Sequence, residues 1–125
     1  MKQVILLSLL LIAPIVKGQS AKFPGGMDAF EDFIFKNYRT PSSVKDSSLS
    51  GIIHINFIIF TDGNMDSIKI AKNELNKDCA DEMIRVLKLV ALKYKWIPGQ
   101  VNTRFMFPIA FEEGIIQKPD WGEFN

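Results

Sequence analysis

The chain has 125 residues, 47% of them hydrophobic and 23% charged, with a formal net charge of +1. That length and mix suit one globular domain and exclude a disordered chain, and the balanced charge gives no basic surplus for a nucleic-acid partner. One cysteine, Cys79, and one histidine, His54, exclude an intramolecular disulfide and are too few for a zinc site or a Cys–His pair at familiar spacings.

In chain order, Lys2 precedes a thirteen-residue run from Val4 to Val16 that is apolar except for Ser8 and contains Pro14. A spanning helix needs roughly 20 apolar residues, so the run is short and reads as a signal peptide over residues 1–18, with a second possible cut after Ser20. No cysteine follows it, which argues against a lipoprotein. Removing residues 1–18 takes Lys2 and Lys17 with it and moves the net charge from +1 to −1.

Phe23-Pro24-Gly25-Gly26 reads as a turn, followed by a helix from Met27 to Tyr38. Phe30, Phe33, Ile34 and Asn37 recur at helical spacing, and Asp28, Glu31 and Asp32 fall in the first turns, where carboxylates favour the positive end of the helix dipole. Gly51 opens the clearest strand: Ile53, Ile55, Phe57 and Ile59 form an apolar face, while His54 and Asn56 lie on a mixed one. Such period-two alternation argues for an antiparallel sheet covered on one side. Asp62-Gly63 is a hairpin signal, and the strand returns over Asn64–Lys72 with Met65, Ile68 and Ile70 as its apolar members. Asp78 reads as the N-cap of a helix over Cys79–Lys93, whose stripe is Cys79, Met83, Val86, Leu87 and Val90. Trp96-Ile97-Pro98-Gly99 ends it, and the last strand is Thr103–Phe111. Residues 112–125 read as an irregular tail.

Three strand faces and two amphipathic helices close a two-layer α+β core, with a three-stranded antiparallel sheet and both helices on one face. Proline lacks an N–H and is mostly confined to edge strands, so Pro108 places Thr103–Phe111 at an edge. If Pro108 turns its nitrogen outward, the backbones of Arg104, Met106 and Ala110 share that side. No catalytic, cofactor or metal constellation is expected: the acidic groups start helices, Cys79 lies on a buried stripe, and no nucleophile motif surrounds His54.

The order of these pieces resembles the C-terminal domain of the energy transducer TonB. The resemblance rests on Phe23-Pro24-Gly25-Gly26, Pro41, the alternation from Gly51 to Asp62-Gly63, Trp96-x-Pro98-Gly99 and Pro108-Ile109-x-Phe111, and spans residues 23–111. It implies a periplasmic domain that binds the TonB box of outer-membrane transporters, a short extended peptide, by strand addition to the last strand. The partner-facing residues would then be Arg104, Met106 and Ala110, with Arg39, Thr40 and Trp96 as further positions; Thr40 stands where the family has tyrosine before Pro41. Domains of this kind also form intertwined homodimers. Full TonB carries an inner-membrane anchor that meets ExbB and ExbD and a Pro-rich spacer. Here only a few residues separate Gly18 from Phe23, and the expectation is that no permanent anchor remains to meet ExbB and ExbD.

Overall fold

The computed structural model describes residues 20–44 and 48–118. The signal peptide read over residues 1–18 and the last part of the tail lie outside the described residues. Among the described residues no helix is long and apolar enough to cross a membrane.

Helix α1 (Met27–Asn37) and helix α2 (Lys77–Lys93) pack on one face of an antiparallel sheet built from β1 (Gly51–Ile59), β2 (Met65–Asn73), β3 (Thr103–Glu112) and β4 (Ile115–Ile116), in the order β2-β1-β3-β4. The sheet thus has four strands, not three. The added strand comes from the stretch read as an irregular tail. Glu113 (φ 52°) and Gly114 (φ 80°) both take the left-handed conformation, which reverses the chain in two residues and lays Ile116 beside Phe111.

The central strand behaves as its alternation requires. Ile53, Ile55, Phe57 and Ile59 are all sealed in the core, and the opposite face, with His54 and Asn56, is half-buried. The spacing of Met65, Ile68 and Ile70 breaks period two, so β2 can keep all three against the helices only by inserting extra residues. The register against β1 shifts there, between Asn56 and Ile58, with Ser67 at φ 56°, and it shifts once more between His54 and Ile55, beyond Ile70.

The N-cap of α1 is Gly26, at φ 88°, which has no side chain to cap the helix, and Asp28 is the acidic residue of its first turn. Glu31 does not play the dipole role that the sequence suggests. It stands four residues after Met27 and three before Ile34, on the apolar stripe, and is turned into the protein. Helix α2 begins earlier than expected because Asn76, not Asp78, is the N-cap: its Oδ1 accepts from the Cys79 N–H at 3.0 Å. Cys79, Met83, Val86, Leu87 and Val90 are all buried, as the stripe predicts.

The aromatic core joins segments far apart in sequence. Trp96 packs against Phe23, Phe30, Phe57 and Phe105 with ring centroids 5.1–5.5 Å apart. Its backbone N–H donates to the Gly63 carbonyl at 2.9 Å, and Ile97 exchanges two backbone hydrogen bonds with Lys22. Gly63 has φ 87°, and a Cβ there would lie 2.6 Å from the Trp96 carbonyl oxygen. Three of the sequence signals, at Phe23, at Asp62-Gly63 and at Trp96, therefore meet at one end of the core.

Candidate functional site: the margin of β3

Strand β3 pairs with β1 without a break from Gly51↔Phe111 to Ile59↔Thr103. Which of its backbone groups face away from β1 follows from one hydrogen bond. The Gln117 N–H donates to the Ala110 carbonyl at 2.9 Å, so Ala110 turns its backbone outward. Alternate residues share a direction, and Pro108, Met106 and Arg104 turn outward with it. Phe105, Phe107, Ile109 and Phe111 turn their backbones to β1 and their side chains to the helices. On β1 the pattern agrees: the Ile52 carbonyl accepts from Glu74 N–H, on the β2 side.

The outward margin is occupied at both ends. Strand β4 and Gln117 cover Ala110 to Glu112. At the other end the Ala21 N–H donates to Thr103 Oγ1 at 3.2 Å. Between them, among the described residues, the outward backbone groups of Arg104, Met106 and Pro108 have no hydrogen-bond partner, a window over roughly 13 Å of strand at about 3.3 Å per residue. Arg104 and Met106 each present one N–H and one carbonyl there, and Pro108 presents a carbonyl alone. The Met106 side chain, 67% exposed, stands on the open face of the sheet.

The structure brings together only some of the residues singled out by sequence. Arg104 and Met106 stand in the window. Ala110 borders it, but its carbonyl is already taken by Gln117. Trp96, 1% exposed, is sealed among the core rings and reaches no surface; a tryptophan before Pro-Gly satisfies a turn signal whether it points in or out, and only the packing of Phe23 and Phe105 around it decides. Arg39 and Thr40 follow α1 at the far end of the sheet, where Tyr38 packs on Phe111 at 5.3 Å, seven residues along β3 from Arg104, or roughly 23 Å. Their neighbourhood is held by α2: Glu82 accepts from the Arg39 N–H at 2.8 Å and pairs with Arg85, which also donates to the Asn37 carbonyl. These donors hold the Glu82 carboxyl below the ordinary range, with the Arg85 bond the largest cause.

One titratable group near this margin was missed by sequence reasoning. Glu31 is 4% exposed, and its Oε2 is buried without a hydrogen-bond partner. Burial, and then the charge of Asp28, push its carboxyl up to about 7, against a smaller opposing pull from Lys118. The signal was present: Glu31 occupies an apolar-stripe position. Among the described residues no group of three or more His, Cys, Asp or Glu side chains is placed to hold a metal ion.

No protein-family model matches the chain, and no curated protein matches it. Solved structures do. Two solution structures of the TonB C-terminal domain of Helicobacter pylori superpose on it. One has 20% identity and a TM-score of 0.56, covering 72% of this chain and 78% of the other. The second, a shorter fragment, has 19% identity and a TM-score of 0.58, covering 75% and 96%. The chain therefore has a TonB C-terminal-domain-like fold.

Proposed function

We propose that this domain is a TonB-type peptide-binding module of the cell envelope, exported to the periplasm by its N-terminal leader. It pairs by strand addition with the TonB box of an outer-membrane transporter, or a similar extended segment, and performs no chemistry. The observation that carries the reading is the bare window of β3. It is an unbulged strand margin whose outward N–H and carbonyl groups at Arg104 and Met106 are unoccupied among the described residues, in a fold like that of TonB C-terminal domains. Backbone pairing at such a margin supplies affinity, and side chains on alternate positions supply selectivity. The same margin, with Met106 67% exposed beside it, also suits pairing with a second copy, and a mass that rises with concentration favours that reading.

The test uses Met106→Pro. Proline at 106 removes an outward donor while leaving the inward pairs of Phe105 and Phe107 in place. Titrating a fluorescent TonB-box-like peptide should show binding about tenfold weaker, since a lost, well-placed hydrogen bond is worth about 0.5–1.5 kcal/mol, roughly two- to twelvefold, and the proline ring also blocks close approach. A thermal melt of the same variant should show the fold retained. Unchanged affinity in a folded Met106→Pro domain moves the site elsewhere, first to Arg39 and Thr40.

A further inference from the structure

Helix α1 lies along β3 on the covered face: Phe30 packs on Phe107 at 5.7 Å and Tyr38 on Phe111 at 5.3 Å. Any strand added outside β3 must therefore slide its inward side chains beneath α1. Strand β4 already does so. Its Ile116 is buried, 8% exposed, in a narrow cleft with Ile34, Phe35 and Ile109. Two turns back along α1 and four residues back along β3, the same seam opens into a hollow of about 510 Å³, walled by Phe23, Met27, Ile97 and Phe105 and floored by the backbone of Gly25 and Gly26. Its lining is mostly apolar, and Ile97 at its rim is 55% exposed. Glu31, one turn after Met27, lines the Ile116 cleft and so stands between the hollow and Ile34 along the seam, with Oε2 unpartnered.

We infer that this seam is the selectivity wall of the strand-addition site: the hollow seats a bulky apolar side chain of the incoming strand, and Glu31 takes a hydrogen-bond donor from the next side chain on the same face. The inference rests on the strand-addition reading of β3. The occupant follows from continuity with the seat of β4, which pairs its backbone with β3 and buries one apolar side chain under α1. A strand prolonging that geometry repeats the pattern at the Phe105 level. Side chains on one face of a strand recur every two residues. The partner class is therefore an extended peptide with a large apolar residue and, two positions away, a lysine, arginine or other donor. A donor there satisfies a buried oxygen that otherwise has no partner.

The experiment uses the full chain and fluorescein-labelled nine-residue peptides of alternating threonine and valine, with one guest position for the apolar residue and one, two residues away, for the donor, made in both orders. Replacing an alanine guest by phenylalanine should tighten binding about tenfold, the effect of burying a large apolar side chain. Replacing a leucine by lysine at the second guest should tighten it severalfold. Ile97→Asp, at the exposed rim, should erase the phenylalanine preference, and Glu31→Leu, which removes the acceptor, should erase the lysine preference, each with the helical circular dichroism unchanged. Met27→Asp is the second hollow variant: a carboxylate in the first turn of α1 favours the helix.

Peptides that bind through Met106 but show no guest preference overturn the inference and leave strand addition standing. Peptides whose binding is untouched by Met106→Pro overturn strand addition itself. A dimer abolished by Ile97→Asp, in a chain indifferent to the guests, assigns the hollow to a second copy and overturns the peptide seat.

Discussion

The two outer edges of this sheet are built in opposite ways. The β2 edge is closed by its own geometry. Two register shifts bend it, Ser67 at φ 56° sits within one of them, and the Asp66 carboxylate accepts from the Ser67 N–H at 2.7 Å. Lys69 and Lys72 add charge, and no regular strand can pair along such a margin. The β3 edge keeps one register over nine consecutive pairs with β1, and among the described residues it is protected locally, by Pro108, by the short β4 and by the Ala21 contact at Thr103. Proteins usually blunt an exposed edge along its whole length. Leaving one regular window beside a bulged counterpart is the pattern expected of a margin kept for a partner.

The largest expected effect concerns the strand that holds both edges. Phe57 lies at the centre of β1, 1% exposed, stacked on Phe105 at 5.3 Å and packed on Phe30 and Trp96. Phe57→Ala should cost about 3–5 kcal/mol in a denaturant melt, a large part of a small domain's stability. His54→Ala, on the half-buried face, should cost under about 1 kcal/mol. Equal costs contradict the assignment of the two faces and with it the direction of every backbone group on β3.

Next is the device that shortens the window. Gly114 has φ 80°, and a Cβ there would lie 2.6 Å from the Val44 carbonyl oxygen. Gly114→Ala should cost about 1–3 kcal/mol through strain at a left-handed position and that collision. It should also free the Ala110 carbonyl by displacing β4, so that Gln117 exchanges its amide hydrogen faster. A variant as stable as the parent, with Gln117 still protected, breaks the account of β4 as the local guard of this edge.

A smaller effect comes from Glu31 beneath the same edge. Burial, and then the charge of Asp28, push its folded carboxyl up to about 7, from an ordinary value of about 4.5. Between those values the folded chain holds more protons than the unfolded one. The contribution of this group is therefore fully present below about pH 4.5 and is lost as pH rises through 7. The groups that face it are Asp28, which raises its pKa, and Lys118, which lowers it. Glu31→Gln should be more stable than the parent at pH 8, on the order of 2 kcal/mol, with the difference vanishing toward pH 4. A constant difference across that range in thermal melts places the carboxyl in water rather than under α1.

Much of this comparison was legible in the residues. The alternation from Ile53 to Ile59 and the stripe from Cys79 to Val90 each follow a single period, and a period fixes a buried face. Pro108 marked the exposed margin of its strand, although β4 covers the far end of that strand, because a missing N–H is a local chemical fact. The four-strand count was not legible, because β4 has only two residues, too few to show a period, and its turn depends on Glu113, a residue that carries no left-handed signature. The N-cap was misplaced because Asn76 and Asp78 are both good caps, and only the reach of a side chain to the Cys79 N–H separates them. The inward turn of Glu31 was visible as a position on the stripe but was overridden by the usual preference of carboxylates for a helix start. The hollow under α1 joins residues 23 to 27 with 97 and 105, and no local pattern reports a juxtaposition that distant.

The claim that β3, and not β2, receives a partner is tested most directly by amide hydrogen exchange with and without an extended peptide. In the free chain the Met106 and Arg104 amides should exchange quickly, because they face outward with no partner among the described residues, while Phe105 and Phe107, bonded to β1, should be slow. On adding a TonB-box-like peptide at saturating concentration, Met106 and Arg104 should become protected, and the amides of β2 from Lys69 to Lys72 should not change. Protection that appears along β2 while Met106 and Arg104 continue to exchange freely would contradict the account.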